Sequence, residues 1–296
     1  MSVDESTSAQ EFNYIEAIPL AHNLLFFYWG RHPQHASIDM RLGGGAFVVY
    51  EGEEAVMIDC MNLAGHGQYV RDFMTREHGI ERFTLVNTHW HEDHIAENHV
   101  YSDCTIIAHT MTRRLMAENR SSLELGSPGV PPFPVVLPTV CFSGRLDIWC
   151  GSTLIELHEF AIHEHGHICA CLPGQKTLLA ADMLEDPVWF FSFEVASAQT
   201  QIEEYQRMAA MDIEHIYTVH GDVDTQRHGG YSKDFIHANA AYLQRMINAA
   251  VDGSLDKKSA EEMISQELAA HTLHWWEAYR EVHELNKKTV RGYLKK

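Results

Sequence analysis

Basic residues are scarce in this 296-residue chain: 22 Lys and Arg stand against 41 Asp and Glu, a formal net charge of −19. A nucleic acid is gripped by clustered cations that displace its counterions, and no basic stripe in the sequence supplies them. Nucleic acid is therefore excluded as the principal partner, and polyanionic substrates such as nucleotides are disfavoured. Long apolar runs are missing as well. No stretch approaches the roughly 18 residues that a membrane span requires, and the opening MSVDESTSAQ has neither the basic patch nor the apolar stretch of a secretory leader. These absences predict a soluble, cytoplasmic chain with no membrane partner. Cysteine is sparse and scattered: Cys60, Cys104, Cys141, Cys150, Cys169 and Cys171 include no CxxC pair and no even disulfide cadence. Reduced thiols packed as small hydrophobes are expected. With 45% hydrophobic and 21% charged residues, a chain of this length buries an ample core without covalent staples.

What is abundant is histidine. The 21 imidazoles nearly equal all Lys and Arg together and are spread along the chain rather than collected in a tag. Imidazole is both a metal ligand and a proton carrier near neutral pH, so the composition points to metal or proton chemistry.

After a polar tail, short β-rich runs alternate with helical patterns. Residues 24–28, 46–50 and 55–58 read as strands, with Glu51-Gly52-Glu53-Glu54 as the hairpin turn between the last two. Residues 65–78 read as a helix, 83–86 and 106–108 as strands, and 110–119 as a helix. Residues 125–138 carry five prolines and exclude regular structure, making a candidate rim or lid. The second half repeats the style with strands near 140–142, 146–149, 153–160, 167–172 and 177–180, a helix over 199–211 and a strand over 216–219. From Ser232 the pattern is helical, with Phe235, Ala238, Leu243 and Met246 on one stripe, a break at Val251-Asp252-Gly253, and further helices near 260–268 and 271–284. Two β-rich halves, each with helices, predict sheet layers flanked by helices rather than a doubly wound parallel sheet. The expected organisation is one domain over 1–231 with a helical extension over 232–296 packed on it.

The chemistry concentrates where the strand at 83–86 runs into Asn87-Thr88-His89-Trp90-His91-Glu92-Asp93-His94. Residues two apart on extended chain point the same way, so His89 and His91 can grip one ion, while Asp93 and His94, turned by the next helix, face a second. Four ligands do not hold two ions. Downstream lie Ala161-Ile162-His163-Glu164-His165-Gly166-His167 ahead of an apolar strand, Ala181-Asp182 after another, and His220-Gly221 after a third. Each is an imidazole or carboxylate at a strand end; singly such a residue is commonly a cap or turn residue, and together they complete a two-ion inventory.

At this point the chain resembles the metallo-β-lactamase superfamily, whose HxHxDH signature is matched by His89, His91, Asp93 and His94. An Asp after an apolar strand (Val56-Met57-Ile58-Asp59) and, in order, a His, an Asp and a His-Gly complete the resemblance over roughly residues 43–221. It implies an α+β fold, an αββα sandwich with two β-sheets flanked by helices and a C-terminal helical extension. It implies one metal ion on His89, His91 and His163, another on Asp93, His94 and His220, and Asp182 bridging both. Asp59 would orient ligands and solvent from behind the metals, and Asp93 would steer the nucleophile or pass on its proton. Matching Leu172-Pro173-Gly174 and the strand before Asp182 to the family pattern selects His163 as third ligand, leaving His165 and His167 as spares. The chain departs from the pattern at Ala96-Glu97, where two glycines are common, and at Ile162, Ala181 and Val219.

A pair of such ions would lower the pKa of a shared water to about 7, so the resemblance implies hydrolysis of an ester, lactone, thioester, amide or lactam bond by a dinuclear-metal-bound hydroxide. Zinc is the default ion for imidazole with carboxylate, and manganese or iron accepts the same donors. The substrate class is a small, neutral or weakly charged organic molecule. Trp189-Phe190-Phe191-Ser192-Phe193 either lines an apolar pocket or packs as core, and Tyr28-Trp29 is a weaker candidate wall. The terminal helices, with Trp275-Trp276, His283 and Asn286, resemble those that close over the groove in some superfamily members; a homodimer is a further expectation. Three rivals remain: a mononuclear-iron persulfide dioxygenase, a non-catalytic metal-dependent binding module, and a nuclease, for which the 37 residues between Asp182 and His220 leave no room for the large inserted domain. Serine catalysis lacks a GxSxG elbow, and thiol catalysis would fall to Cys169 or Cys171.

Overall fold

The computed structural model describes residues 14–189 and 198–294. Seven strands make the first sheet: β1 (Glu16–Ala21), β2 (Leu24–Tyr28), β3 (Gly45–Glu51), β4 (Glu54–Ile58), β5 (Arg82–Asn87), β6 (Thr105–His109) and β7 (Val140–Phe142), in that spatial order among the described residues. Strands β1 to β4 pair antiparallel, whereas β4 to β7 pair parallel. Strand β2, Leu-Leu-Phe-Phe-Tyr, is buried throughout, which is why it reads as a continuous apolar run. Each such side chain contributes roughly 1.5–3 kcal/mol on leaving water. Gly45 is obligatory: a Cβ there would lie 1.9 Å from the Phe27 carbonyl oxygen across the β2–β3 ladder.

Parallel neighbours need crossovers, and the helix His66–His78 provides the one between β4 and β5. Val70 and Met74, four apart, face its core side. Gly79 ends it at φ 68, with its N–H 3.1 Å from the Thr75 carbonyl. A second sheet has the order β12-β11-β10-β9-β8, from β8 (Arg145–Cys150), β9 (Thr153–Glu159), β10 (Ile168–Leu172), β11 (Thr177–Leu179) and β12 (His215–Tyr217). Strands β9, β10 and β11 are antiparallel neighbours, and β11 pairs parallel with β12.

The chain divides into two compact units, one of residues 1–143 and 147–154, the other of 144–146 and 155–296. The core of the first packs Phe27, Trp29, Val48, Met57, Leu85 and Ile106. That of the second packs Ile162, Leu178 and Ile216 with Phe235, Leu243 and Met246 from the helix Asp234–Val251, so the apolar stripe read from the sequence faces the core. Among the described residues no helix is long and apolar enough to cross a membrane.

Several expectations are corrected. The 260–268 segment is two short helices, Ala260–Met263 and Ser265–Ala269, the first started by a Ser259–Glu262 capping box. The last helix is Ala278–Leu294 rather than 271–284, because His271 sits at φ 55 and breaks the backbone; Trp275 and Trp276 precede the helix. Trp276 lies over the Tyr279 ring at 4.9 Å between centroids. The proline-rich loop is not a free lid: Val130, Phe133 and Val135 are buried with Ile95 and Ala96. Strand β1, with Pro19 at its bulge, was not expected, since proline weakens a strand pattern.

Candidate metal centre

The parallel run of β4, β5 and β6 puts their carboxyl ends at one edge of the first sheet, where side chains from the segments after β4 and β5 meet. Asp59 follows β4 in the left-handed region, φ 65, and is fully buried. Beyond β5 the chain turns through Thr88 and His89 into His91, the extended N-cap of the short helix Glu92–Ile95 that carries Asp93 and His94.

The proton order in this cluster follows from which groups can donate. One Asp59 oxygen accepts the Thr88 N–H at 2.8 Å. The other accepts the Thr88 hydroxyl at 2.8 Å and His94 Nδ1–H at 2.7 Å. Having spent its only hydrogen on Asp59, the Thr88 hydroxyl accepts from His89 Nδ1 at 3.1 Å. A single carboxylate thus sets the tautomer of two imidazoles, one directly and one through a hydroxyl, and leaves both Nε2 atoms bare. Burial pushes the pKa of Asp59 up, against the pull of the His94 ring and of the Thr88 N–H and hydroxyl. All these contacts give Asp59, named above among the catalytic candidates, a positioning role.

These ring nitrogens have close neighbours. His89 Nε2 lies 2.9 Å from His91 Nδ1, near the roughly 3.3 Å at which one tetrahedral ion takes two imidazoles. His94 Nε2 lies 3.1 Å from the Asp93 carboxylate. A hydrogen on one of the two atoms, or a metal ion between them, makes such an approach favourable.

The support behind them is polar and satisfied. Asn87 and Asn98 exchange amide hydrogen bonds of 2.9 Å, Asn98 also reaches the Val136 carbonyl at 3.0 Å, and the Cys60 thiol donates to Asn98 at 3.1 Å. Glu97, which stands where the family pattern has glycine, accepts the N–H groups of Gly65 and Gly67 at 3.0 and 3.2 Å. It thereby caps a helix whose own N-cap, Gly65, offers no side chain. Gly67 is small because Glu97 fills its space: a Cβ there would meet Glu97 Cβ at 2.7 Å. Sequence reasoning did not find this role, and its signal is the unusual pairing of Gly65-His66-Gly67 with an acid three residues after the signature.

In the second unit His163, Asp182 and His220 gather although 57 positions separate the first from the last. One Asp182 oxygen is 3.8 Å from His163 Nε2 and 3.5 Å from His220 Nε2, and all three side chains are almost wholly buried. His163 Nδ1 lies 2.7 Å from the Trp189 carbonyl, which can only accept, so Nδ1 carries a hydrogen and the neutral ring presents Nε2 as its acceptor. His163 and Ala181 both occupy the left-handed region, at φ 64 and 47, costing on the order of 1–2 kcal/mol each for a side-chain-bearing residue. Ala181 keeps the turn that glycine commonly makes in the family pattern. The Thr218 hydroxyl braces that turn at the carbonyls of Ala181 and Leu184. His220 stands three residues beyond β12, which ends at Tyr217 rather than at Val219.

His167 is buried, its ring 5.5 Å from that of His163 between centroids, while the His165 backbone N–H bonds to Glu164. Trp189 is half-buried; Phe190, Phe191 and Phe193 fall outside the described residues. Burial pushes the Cys169 thiol far above its ordinary pKa and that of Cys171 to about 11, so neither supplies a thiolate near neutral pH. All six cysteines are free; Cys60, Cys150, Cys169 and Cys171 are buried as expected, whereas Cys104 is half-buried and Cys141 exposed. Each unit therefore carries neighbouring His and Asp side chains whose donor chemistry, imidazole nitrogen with carboxylate oxygen, fits divalent metal ions.

The comparisons agree with this picture. No curated protein matches the chain significantly. A metallo-β-lactamase from Pontibacter korlensis superposes with a TM-score of 0.60 at 16% identity, over 78% of this chain and 99% of that one. VMB-1 superposes at 0.61 and 17% identity, over 78% of this chain and 97% of its own, and DIM-1 metallo-β-lactamase at 0.57 and 17%, over 77% and 98%. At such identities the likeness shows the fold, two sheets with helices and the terminal helices present, as the sequence analysis expected. The sequence model of the Metallo-beta-lactamase superfamily matches residues 40–220, well over half of the chain. The chain belongs to the metallo-β-lactamase superfamily.

Proposed function

We propose that this protein is a metal-dependent hydrolase that takes two divalent ions, zinc by default, and cleaves an ester, lactone, thioester or amide bond in a small organic substrate. In this reading His89, His91 and His163 would serve one ion, Asp93, His94 and His220 the other, and Asp182 both, as the family signature implies. The observation that carries the reading is the close approach of donor atoms within each cluster, His89 Nε2 to His91 Nδ1 at 2.9 Å, His94 Nε2 to Asp93 at 3.1 Å, and Asp182 to His163 and His220 at 3.8 and 3.5 Å. When bound, the ions supply an activated water and polarise a scissile carbonyl.

The chain's own residues account for the rest. Asp59 and Thr88 hold His94 and His89 in the tautomer that leaves Nε2 bare. The Trp189 carbonyl does the same for His163. Asp93, whose carboxylate lies 3.1 Å from His94 Nε2, would orient the attacking water and pass on its proton. The sequence has no Lys or Arg cluster near these motifs, which favours a neutral or weakly charged substrate.

The test is a panel of lactone, thioester, lactam and aryl-ester substrates offered to zinc-loaded protein. Turnover of at least one class, abolished by a chelator and restored by zinc, is expected. A single bound iron with thiol-dependent oxygen uptake would replace the hydrolase by the dioxygenase reading.

A further inference from the structure

The helical segments after residue 232 reach the candidate ligand His163 through one short strip, residues 185–189, and every contact in the path lies within the second unit. The Val188 N–H donates to Asn239 Oδ1 at 2.9 Å, and Asn286 Nδ2 donates to the Val188 carbonyl at 2.9 Å. The Asp186 N–H donates to the Tyr279 hydroxyl at 3.1 Å, while its carboxylate accepts the His274 N–H at 3.1 Å. The same carboxylate accepts the Tyr231 hydroxyl at 2.5 Å and the Asp222 N–H at 3.2 Å, two residues beyond His220. Both faces of the Val188 peptide links and the Asp186 backbone are thus held by the C-terminal segments, and the next carbonyl, that of Trp189, receives His163 Nδ1–H.

The donors run in one direction. His283 Nε2 faces the Lys258 carbonyl at 3.1 Å, which can only accept, so His283 Nδ1 is the acceptor of the Tyr242 hydroxyl at 2.7 Å. Tyr242 has then spent its hydrogen, and its oxygen receives Asn286 Nδ2 at 3.2 Å. That fixes the Asn286 amide with its nitrogen toward Val188. Asn239, Tyr242, His283 and Asn286 are all buried, where a polar side chain without a partner costs about 1–3 kcal/mol, so the order is strongly enforced.

We infer that the C-terminal helices are a positioning element of the metal centre: Asn239 and Asn286 clamp Val188, the clamp sets the Trp189 carbonyl, and that carbonyl keeps His163 in its Nδ1–H tautomer with Nε2 presented beside Asp182. This rests on the hydrolase reading for its consequence, and on the hydrogen bonds alone for its geometry. It gives His283 and Asn286, singled out in the sequence without a role, a place in the chemistry.

The experiment uses the full chain with Asn286→Asp, which sets a carboxylate oxygen against the Val188 carbonyl. Two readouts are taken. In metal-free protein, the ring 15N shifts of His163, assigned by loss of its signals in His163→Gln, report the tautomer. Binding of zinc, by chelator competition, reports each equivalent separately. The parent is expected to show one Nδ1–H tautomer and two zinc equivalents. In Asn286→Asp the Nε2–H form should appear and one equivalent should weaken at least tenfold, within the usual 10–100-fold loss for a ligand's supporting group, while the other changes less than threefold. A folded Asn286→Asp with the parent's tautomer and both affinities unchanged overturns the inference. Where that variant does not fold, Tyr279→Phe, which deletes only the acceptor of the Asp186 N–H, is read the same way, with a roughly threefold weakening expected and no change counting against the clamp. Parent protein that binds no zinc defeats the metal reading, and the tautomer readout still decides the clamp.

Discussion

The two clusters aim their imidazoles by different means. In the first unit the ligand candidates are contiguous, from His89 to His94, and one buried carboxylate with one hydroxyl orients two rings. In the second they are dispersed, and the orienting group of His163 is a backbone carbonyl whose position depends on helices about a hundred residues further along. The first arrangement is local, and side-chain substitution breaks it directly. The second stores its precision in backbone: left-handed His163 and Ala181, a braced turn at Thr218 and a clamped strip at 185–189. A side-chain device announces itself in sequence, whereas a backbone device leaves only buried Asn and Tyr residues far away.

The largest effect expected is on the shared acid. Asp182→Asn should lose bound metal and hydrolytic turnover together, since it touches both His163 and His220, and His89→Ala should do likewise from the other cluster; circular dichroism of both should stay close to the parent. Full activity in either variant would count heavily against the centre. Next, Asp59→Ala should weaken metal binding about 10–100-fold by releasing the tautomers of His94 and His89, with loss of structure only local. Equal metal affinity in parent and variant would show that the relay through Thr88 is idle.

A third prediction concerns pH. Burial lowers the His66 pKa to about 3, and its Nε2 lies 2.6 Å from the Tyr14 hydroxyl oxygen. The unfolded chain, with an ordinary imidazole near 6.5, binds the proton that the folded state refuses. Stability should therefore fall as pH drops below about 6.5, by up to roughly 1.4 kcal/mol per pH unit from this one group, until the folded pKa is reached. Urea titrations of His66→Gln should show a shallower slope between pH 6.5 and 4; an unchanged slope would assign the acid sensitivity to other groups. The smallest effect is Ala181→Gly, which relieves a left-handed alanine and should raise stability by about 0.5–1 kcal/mol without altering metal content. A lower midpoint of thermal unfolding would contradict the strain assigned to that turn.

Much of this was legible from residues alone because the informative patterns were local. The strand at residues 24–28 is bounded as read, a run of five apolar residues buried throughout. The dense run from His89 to His94 stood out because three imidazoles and a carboxylate within six residues are rarely a solvated loop. The misreadings came from non-local forces. Trp275 and Trp276 carry helical propensity, yet the backbone break at His271 and the hydrogen bond from the His274 N–H to Asp186 hold the strip extended. The proline-rich loop offered no periodicity from which its packing against Ile95 could be inferred. Glu97 looked like a departure from the family pattern because its partner is the N–H array of a helix thirty residues earlier.

The claim that most depends on both clusters together is that they hold a pair of ions, and metal content per chain tests it most directly. Elemental analysis of purified, zinc-reconstituted protein should give two equivalents in the parent and fewer in Asp182→Asn. One equivalent or none in the parent, or two retained by Asp182→Asn, would contradict the account.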